Sequence, residues 1–493
     1  MRTRPAVPTP PLDLTPDAGA LPLRMLIYRS VLRAIDDGRL RPGARLPSAR
    51  ALADDWRVSR NTVDDAIAAL QGEGLVERRV GAGTFVTKTP ARRSPGARAL
   101  RPPSALGRDA LASLSQWGRL AAAAHVEGAA PRPAAFMAGL ADLDAFPHDL
   151  WRRVVARRLR VSARALAGYL PSLGLPALQE AIARHLALTR GLVCAPEQIL
   201  VLNSAMQAAD LIARVLLRRG DRAWIEDPSF PNLRAALALS GARLVGVPVD
   251  DAGLDVAAGI ARAPRAALAY VTPSCHYPLG VTMTIGRRRA LVDWAERANA
   301  WIVEDDYQAE FSYDARPPPA IASLDRSGRV LYVGTFSNAL FPSLRLAYVV
   351  LPAPLVEVFA AVRGQLDDHT HGLAQAALAD FIDGGYFAAH LRRMRERYRE
   401  RRDALIAAAR CLPAGYVLGP ARGGMHVALI ASRRVADVSL AARARDAGVA
   451  ALPLSRYALG RARHRGLLLG YAALDERTIE AGVTRLASAL ARS

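Results

Sequence analysis

Residues 21–90 alternate helical stripes of apolar side chains with breaks that carry glycine, proline or serine. Ile27, Val31 and Ala34 recur at helical spacing, which predicts a first amphipathic helix that ends near Gly38. The loop RPGARLPS comes next and stops the helix, because proline and glycine do not continue the pattern. The chain is therefore expected to begin its folded part with one short, one-sided helix.

Two more helices and a hairpin follow this loop. Ser48 is placed to cap the helix ARALADDW, and Ser59 to cap RNTVDDAIAALQGEG, whose apolar residues form a single stripe. The segments LVERRV and TFVT flank Gly81-Ala82-Gly83, which predicts two strands joined by a glycine turn. Helix, helix, turn, helix and hairpin in this order predict a winged helix-turn-helix.

A different pattern begins near residue 135, where long helices alternate with short apolar strands. The predicted strands are QILVLN, RAWIED, RLVGVPV, AALAYVTP, AWIVEDD, RVLYVGTF and LAYVVL. Such alternation is typical of an α/β fold with a mostly parallel sheet. The last hundred residues mix helix and strand, which predicts a smaller α+β domain.

These patterns predict a multidomain chain. Its parts are a disordered lead (1–20), a winged-helix domain (21–90), a linker (91–135) with a short helix near 107–126, a large α/β domain (136–389) and a small C-terminal α+β domain (390–493).

Composition narrows the class of protein. With 51% hydrophobic residues the chain can build large cores, yet no run of about 18 uncharged apolar residues predicts a membrane span. Cys194, Cys275 and Cys411 have neither metal nor disulfide spacing, which fits a reducing cytoplasm and no metal site. The net charge of +21 favours a nucleic-acid partner, because a compositional bias explains the use of arginine in place of lysine but not the excess of basic over acidic residues.

The predicted third helix carries the candidate DNA contacts. Arg60, Asn61 and Thr62 follow the cap Ser59 at the end of a recognition helix that meets base edges and phosphates. The other expected contacts are arginines: Arg50 for phosphate, with Arg78 and Arg79 on the wing. Any one of these arginines, taken alone, is as consistent with a solvated surface residue as with a DNA contact, but the whole arrangement favours DNA binding.

The segment GRLRPGARLPSARALADDWRVSRNTVDDAIAALQGEGLVERRVGAGTFV strongly resembles the GntR type of winged helix. One departure from that pattern is the pair Asp64-Asp65 in the third helix. Asp65 is expected to face away from DNA. Asp64 either repels a phosphate or accepts a hydrogen bond from a cytosine amino group, and the sequence leaves both open.

The remainder resembles the fold-type I aminotransferases that use pyridoxal phosphate, and the fusion of the two parts resembles the MocR/GabR family of bacterial regulators. The resemblance is carried, in the family's order, by FPHDLWRR, GYLPSLGLPALQEAIARHLALTRGL, ILVLNSAMQAADL, IEDPSFPN, VTPSCHYPLGVTM, VEDDYQAEFSYD and GTFSNALFPSLRLAYVVLP. It implies an aminotransferase-like domain in a homodimer.

The resemblance also implies a phosphate site. Ser204 and Ala205 lie between a strand and a helix, where backbone N–H groups can hold a phosphate. Arg345 matches the family's phosphate arginine, and Thr335 and Ser337 match its hydroxyl donors.

The ring of the cofactor has its own matches. Asp305 corresponds to the carboxylate that keeps the pyridine nitrogen protonated, and Tyr307 to the phenol that bonds the ring hydroxyl. Phe230 corresponds to the aromatic side chain stacked on the ring, and Tyr169 to a residue that reaches the phosphate across the dimer interface. Taken alone, the run EDD at 304–306 fits a solvated acidic corner or a weak metal site as well as it fits a cofactor pocket.

Covalent capture of the cofactor requires a primary amine, which the family supplies from a lysine. In GTFSNALFPSLRLAY that position is Asn338, whose amide is neither basic nor nucleophilic, and the single lysine of the chain is Lys88. Leu468 stands where aminotransferases place the arginine for the substrate carboxylate; Arg461, Arg463 and Arg465 are candidate substitutes that the sequence does not place. His276 is favoured as a satisfied polar residue over a catalyst.

We therefore expect a DNA-binding transcriptional regulator, not an enzyme, whose aminotransferase-like domain binds an effector and dimerises without covalent pyridoxal phosphate chemistry. The alternative is a pyridoxal phosphate-dependent enzyme that carries a DNA-binding domain. The expected partners are a double-stranded DNA operator, a second copy of the chain and a phosphorylated small molecule. Pyridoxal phosphate or pyridoxamine phosphate held without a covalent bond, an amino-acid adduct and an unrelated metabolite all stay open.

Overall fold

The structure, a computed structural model, describes residues 21–87, 113–115, 118, 135–313, 317–432 and 435–491. The chain divides into two compact units, Met1–Ala124 and His125–Ser493. The predicted lead (1–20) lies outside the described residues, as do nearly all of the linker (91–135) and of the helix expected near 107–126. The finer domain boundaries stay a prediction.

The first unit is a winged helix-turn-helix, as predicted. Its elements are α1 (Leu23–Asp36), α2 (Ala49–Trp56), α3 (Arg60–Gly72), β1 (Val76–Arg79) and β2 (Gly83–Val86). Both expected caps are present, since Ser48 Oγ accepts a hydrogen bond from Ala51 N and Ser59 Oγ accepts one from Thr62 N, each at 3.1 Å. Arg57 ends α2 with a left-handed φ of +54°, which turns the chain sharply into α3.

The apolar stripes of the three helices meet in one core. The buried members are Ile27, Val31, Ala34, Leu52, Ala53, Val63, Ala66, Ile67 and Leu70. Strands β1 and β2 pair antiparallel from Val76↔Val86 to Arg79↔Gly83, and the valine pair joins the core. The wing is thus held at its base, while Val80 at its tip is exposed.

The second unit contains the remaining elements. Its helices are α4 (His148–Leu166), α5 (Pro176–Arg190), α6 (Ala205–Leu216), α7 (Pro231–Ala238), α8 (Val256–Arg262), α9 (Ile285–Ala298), α10 (Ile321–Leu324), α11 (Val356–Leu366), α12 (Gly372–Asp383), α13 (Tyr386–Ala408), α14 (Asp437–Asp446) and α15 (Glu476–Ala491). Its strands are β3 (Ile199–Leu202), β4 (Arg222–Asp227), β5 (Arg243–Asp250), β6 (Gly253–Leu254), β7 (Leu268–Val271), β8 (Trp301–Asp305), β9 (Val330–Thr335), β10 (Ala347–Val350), β11 (Tyr416–Leu418), β12 (His426–Ala431), β13 (Leu452–Pro453) and β14 (Gly466–Gly470).

The large sheet has the order β3-β10-β9-β8-β7-β4-β5-β6. The neighbouring pairs from β9 to β5 are parallel, whereas β10 runs antiparallel to both β3 and β9, and β6 forms a short antiparallel edge. The prediction of a mostly parallel sheet is confirmed, and all seven predicted strands are present. Their nearly continuous apolar sequences follow from burial on both faces of the sheet.

Strand direction decides where a site can form. Because β10 is antiparallel to both of its neighbours, β3 runs in the same direction as β9 and the other parallel strands. The carboxyl ends of β3, β4, β7, β8 and β9 therefore share one edge of the sheet, where ligands of open α/β sheets bind.

A four-stranded antiparallel sheet, β11-β12-β14-β13, forms the core of the C-terminal part with α14 and α15. The helix α13 runs from Tyr386 to Ala408 and so passes through residue 389, at which the boundary of the small domain is predicted. Among the described residues, none of the helices combines the length and apolar character needed to cross a membrane.

Candidate functional site

The first candidate site is the surface formed by the start of α3 and by the wing. Arg60 and Asn61 are exposed directly after the Ser59 cap, and the Thr62 hydroxyl lies 2.7 Å from that of Ser59. Arg50 is also exposed, on α2. Exposed polar groups at the start of a recognition helix are suited to base edges and phosphates.

The two wing arginines differ in their contacts. Arg78 donates to Asp64 on α3 at 2.6 Å. Arg79 pairs with Glu77 on its own strand, and its guanidinium lies 4.8 Å from the centre of the Phe85 ring. Asp64 also lies 3.5 Å from the Nε atom of Arg60. The structure therefore brings Arg60 and Arg78 to one carboxylate, a contact that the sequence did not predict.

The second candidate site is a cavity of about 370 Å³ at the carboxyl edge of the large sheet. Nine of the ten predicted cofactor residues line it: Ser204, Ala205, Phe230, Asp305, Tyr307, Thr335, Ser337, Asn338 and Arg345. The tenth, Tyr169, lies elsewhere on the chain and is 90% exposed.

Several residues that line this cavity offer hydrogen-bond donors or a positive charge. Ser204 caps α6 and accepts from Gln207 N at 3.1 Å, and both Ser204 and Ala205 line the cavity, so the start of this helix with its free N–H groups belongs to the lining. Ser337 N donates to Thr335 Oγ1 at 3.2 Å. The backbone of Arg345, which also lines the cavity, has a left-handed φ of +52°. None of the described residues forms an ion pair with its guanidinium.

Another lining residue, Asp305, belongs to an acidic run at the end of β8. Glu304, Asp305 and Asp306 are all buried, which rules out a solvated corner. Among the described residues no group of three metal-ligating side chains is present. Each of the three carboxylates instead has its own surroundings.

The two outer carboxylates are held by the protein. Glu304 accepts hydrogen bonds from Ile321 N at 2.8 Å and from Ala322 N at 2.9 Å. Asp306 pairs with Arg190 at 2.5 Å and accepts from the Tyr332 hydroxyl at 2.8 Å. A buried carboxylate needs partners of this kind to remain in the interior.

Both aspartates are only half satisfied, since Asp306 Oδ1 has no hydrogen-bond partner among the described residues, but only the middle carboxylate, Asp305, lines the cavity. Asp305 Oδ2 accepts from the Tyr270 hydroxyl at 2.7 Å, but the buried Oδ1 has no partner among the described residues. Burial raises the pKa of Asp305 to about 7, the hydrogen bond from Tyr270 opposes that rise, and the charge of Asp306 adds to it. Asp305 lines the cavity, and its Oδ1 retains the capacity to accept a hydrogen bond.

Tyr307 and Asn338 face each other across the next part of the site. The Tyr307 hydroxyl is buried without an oxygen or nitrogen partner in the described part of the chain; its neighbour is the weakly bonding thiol of Cys275. Asn338 Nδ2 donates to the backbone oxygen of Tyr307 at 3.1 Å. The amide is therefore engaged with the protein backbone.

Several cavity residues were not predicted. Glu226, Thr272 and Tyr277 also line it. Glu226 accepts from Thr272 N at 3.1 Å and from its hydroxyl at 2.6 Å, and burial raises the pKa of Glu226 to about 8. Glu226 and Thr272 lie at the carboxyl ends of two predicted strands, so the position of those ends was the signal that identifies them.

His276 is a satisfied polar residue, as favoured. It is buried, its Nε2 donates to Pro228 O at 3.1 Å, and its Nδ1 accepts from Leu279 N at 3.4 Å. Burial lowers the pKa of His276 to about 3, so the ring is neutral.

Within the described part of the chain, no arginine takes the place of Leu468 in the lining of this cavity. Leu468 lies on β14 in an apolar cluster. The three candidate substitutes line a separate cleft, beside α14: Arg461, Arg463 and Arg465. Arg345 is thus the only arginine lining the cavity among the described residues.

Comparison with known proteins matches both units. Residues 24–86 match the gntR family of bacterial regulatory proteins, and residues 143–486 match aminotransferase class I and II. The probable rhizopine catabolism regulatory protein MocR of Rhizobium meliloti is 40% identical, over 95% of this chain and 94% of that protein. The HTH-type transcriptional regulator TauR of Rhodobacter capsulatus is 35% identical, over 98% of this chain and 100% of that protein.

A solved structure matches most of the chain. The kynurenine aminotransferase of Pyrococcus horikoshii, solved in complex with PMP, has a TM-score of 0.72 at 26% identity and covers 79% of this chain and 99% of its own.

Replacing Asp305 by asparagine is expected to change the pH dependence of stability. A carboxyl whose pKa is raised to about 7 contributes stability that is complete below about pH 4 and is lost as the pH rises to about 7. The free energy of unfolding, measured in urea, should therefore rise in Asp305→Asn relative to the ligand-free wild type as the pH goes from 4 to 7. The relative rise should be on the order of 4 kcal/mol. An equal gain in the exposed control Asp144→Asn would contradict this account.

Proposed function

The chain belongs to the MocR-type bacterial regulators, which join a gntR-type winged helix to a class I and II aminotransferase domain, and from this premise we propose that it binds operator DNA and senses a phosphorylated ligand without covalent chemistry. Its homologues of similar length are named as transcriptional regulators, which supports regulation over the enzyme alternative. The observation that carries the ligand proposal is the buried, half-satisfied Asp305 in a cavity that hydroxyls, an arginine and the start of α6 also line.

The residues present fit pyridoxamine phosphate or pyridoxal phosphate. The start of α6, Thr335, Ser337 and Arg345 would hold the phosphate, while Phe230 would contact the ring. Asp305 Oδ1 would accept from a protonated pyridine nitrogen, and the Tyr307 hydroxyl would meet the ring oxygen. When bound, such a group supplies an electron-withdrawing ring and, in its aldehyde form, a carbonyl.

We infer that Asn338 occupies the position of the family's lysine and that covalent capture is lost. Two observations support this. Asn338 lines the cavity and donates to Tyr307 O, and the sequence has no lysine after Lys88. An amide forms no covalent bond with an aldehyde under these conditions and holds no transferable proton. The amine form of the ligand needs no such lysine and is therefore favoured over the aldehyde form.

The cation content of the cavity supports the same conclusion. With Arg345 assigned to the phosphate, no second arginine in the described lining is left for the carboxylate of an amino acid. An amino-acid adduct carries that additional charge, which would be buried without a partner. We therefore favour the free phosphorylated ligand over an adduct and over transamination of an amino acid.

We infer that the chain works as a homodimer in which Tyr169 of each protomer reaches the phosphate end of the other protomer's cavity. Tyr169 is 90% exposed, and α4 presents Leu159 and Val161 at 51% and 77% exposure. Exposed apolar side chains on one helix favour a protein partner. A ligand that binds two dimer arrangements with different affinity would then change the spacing of the two winged helices.

Arg60→Ala is expected to weaken operator binding by roughly 1–3 kcal/mol, the usual contribution of a good base contact. The measurement is fluorescence anisotropy with a duplex that the full-length protein enriches from a random library. Arg39→Ala is the matched control, because Arg39 is an exposed arginine of the same unit outside α3 and the wing. Equal effects of the two substitutions would contradict the role given to α3.

Asn338→Lys is expected to restore covalent capture of added pyridoxal phosphate, because the remaining contacts of the cavity are in place. After borohydride reduction, mass spectrometry of a digest should find the adduct on the peptide that contains position 338, and the wild type should lack it. Gln71→Lys places a new lysine on the exposed face of α3 as the control. Absence of the adduct at 338 in a folded variant would mean that more than one residue of the cavity is altered.

A further inference from the structure

Asp64 is an acidic residue that contacts two of the predicted DNA-binding arginines. Its Oδ1 accepts from Arg78 on the wing at 2.6 Å, and its Oδ2 lies 3.5 Å from Arg60 Nε on the recognition helix. The carboxylate is about one third exposed, and the two arginines are 70% and 45% exposed for Arg60 and Arg78. Asp64 thus joins the helix and the wing on a surface that remains open to solvent.

We propose that Asp64 is a specificity-determining residue, which orients Arg60 and Arg78 for the operator and weakens their attraction to other DNA; this rests on the DNA-binding function proposed above. The residue contacts the two arginines rather than a base, so its role is positioning. It removes neither arginine from the surface, because both stay solvent-exposed in the bridge.

The geometry at Arg60 supports the orienting part of the proposal. Arg60 approaches Asp64 through Nε, at 3.5 Å, so this contact does not use the two terminal nitrogens of the guanidinium. Those terminal nitrogens form the fork that a guanine O6 and N7 accept. An arginine held through Nε loses less side-chain entropy when it binds a base than a freely rotating one does.

Charge supports the second part of the proposal, which is that Asp64 weakens the attraction of the two arginines to other DNA. Binding to arbitrary DNA depends on the number of phosphates that cations neutralise, and it carries no sequence information. One carboxylate beside two arginines reduces their combined charge from +2 to +1 at this surface. The two arginines therefore contribute less to binding of arbitrary DNA, whereas an operator guanine can still accept hydrogen bonds from the positioned terminal nitrogens of Arg60.

Asp65 provides a matched comparison on the same helix. It is exposed, and the described residues provide it with no ion pair or hydrogen bond. Asp64→Ala and Asp65→Ala remove the same charge from neighbouring positions of α3 and differ only in the bridge. Both should increase the affinity for DNA of arbitrary sequence to a similar extent, because each removes one negative charge from the protein.

The experiment measures the affinity of full-length protein for two duplexes: one enriched from a random library by the wild type, and a scrambled duplex of the same composition. Asp65→Ala should strengthen binding to both and leave their ratio unchanged. Asp64→Ala should lower the ratio by about fivefold, the upper range expected for an exposed ion pair. Asp64→Glu, which keeps the charge, should recover part of the loss.

An unchanged ratio in Asp64→Ala, or an equal fall in Asp65→Ala, would overturn the role of Asp64 and leave DNA binding intact. A wild type that enriches no sequence from the library would overturn the proposed function itself. Circular dichroism of both variants checks that α3 remains folded, so that a lost helix is not mistaken for lost specificity.

Discussion

Three consecutive carboxylates end β8 inside the protein, and their burial is the constraint around which the site is built. Glu304 takes two backbone N–H groups, and Asp306 takes Arg190 and the Tyr332 hydroxyl. Both partners of Asp306 contact its Oδ2, and its Oδ1 has no hydrogen-bond partner among the described residues. Asp305, between the other two, also keeps one buried oxygen without a partner among the described residues, but it alone of the three lines the cavity at the edge where the parallel strands end. This unsatisfied Asp305 oxygen, together with the N–H groups, hydroxyls and arginine of the cavity lining, is the physical reason to propose a ligand with a protonated ring and a phosphate.

The proposed ligand binding and the family's chemistry depend on different residues, and the chain separates them. Contacts of binding are distributed over several strand ends and the start of α6, whereas covalent capture depends on one amine. In the function that we propose, Asn338 stands in place of that amine, while the residues assigned to the distributed contacts still line the cavity. A regulator needs only a ligand that distinguishes two arrangements of the protein, so binding without turnover is sufficient for it.

Local patterns predicted most of the fold. The caps Ser48 and Ser59, the stripe from Val63 to Leu70 and seven of the eight strands of the large sheet depend on residues close in sequence, so the sequence is informative about them. Contacts between distant segments were not predictable in this way. The bridge from Asp64 to Arg78, the pairing of Arg190 with Asp306 and the cleft that holds Arg461 depend on how elements pack. Glu226 shares features of both groups. Its strand was predicted from the local pattern, but its position in the cavity lining was not.

Native mass spectrometry of the full-length wild type, incubated with pyridoxamine phosphate and then sprayed under native and denaturing conditions, tests the central claim most directly. The account predicts a mass increase of one ligand per protomer under native conditions that disappears completely on denaturation, and a weaker increase in Arg345→Ala. No bound ligand in the native spectrum, with the protein folded, would contradict the account. A mass that persists after denaturation would contradict the loss of covalent chemistry.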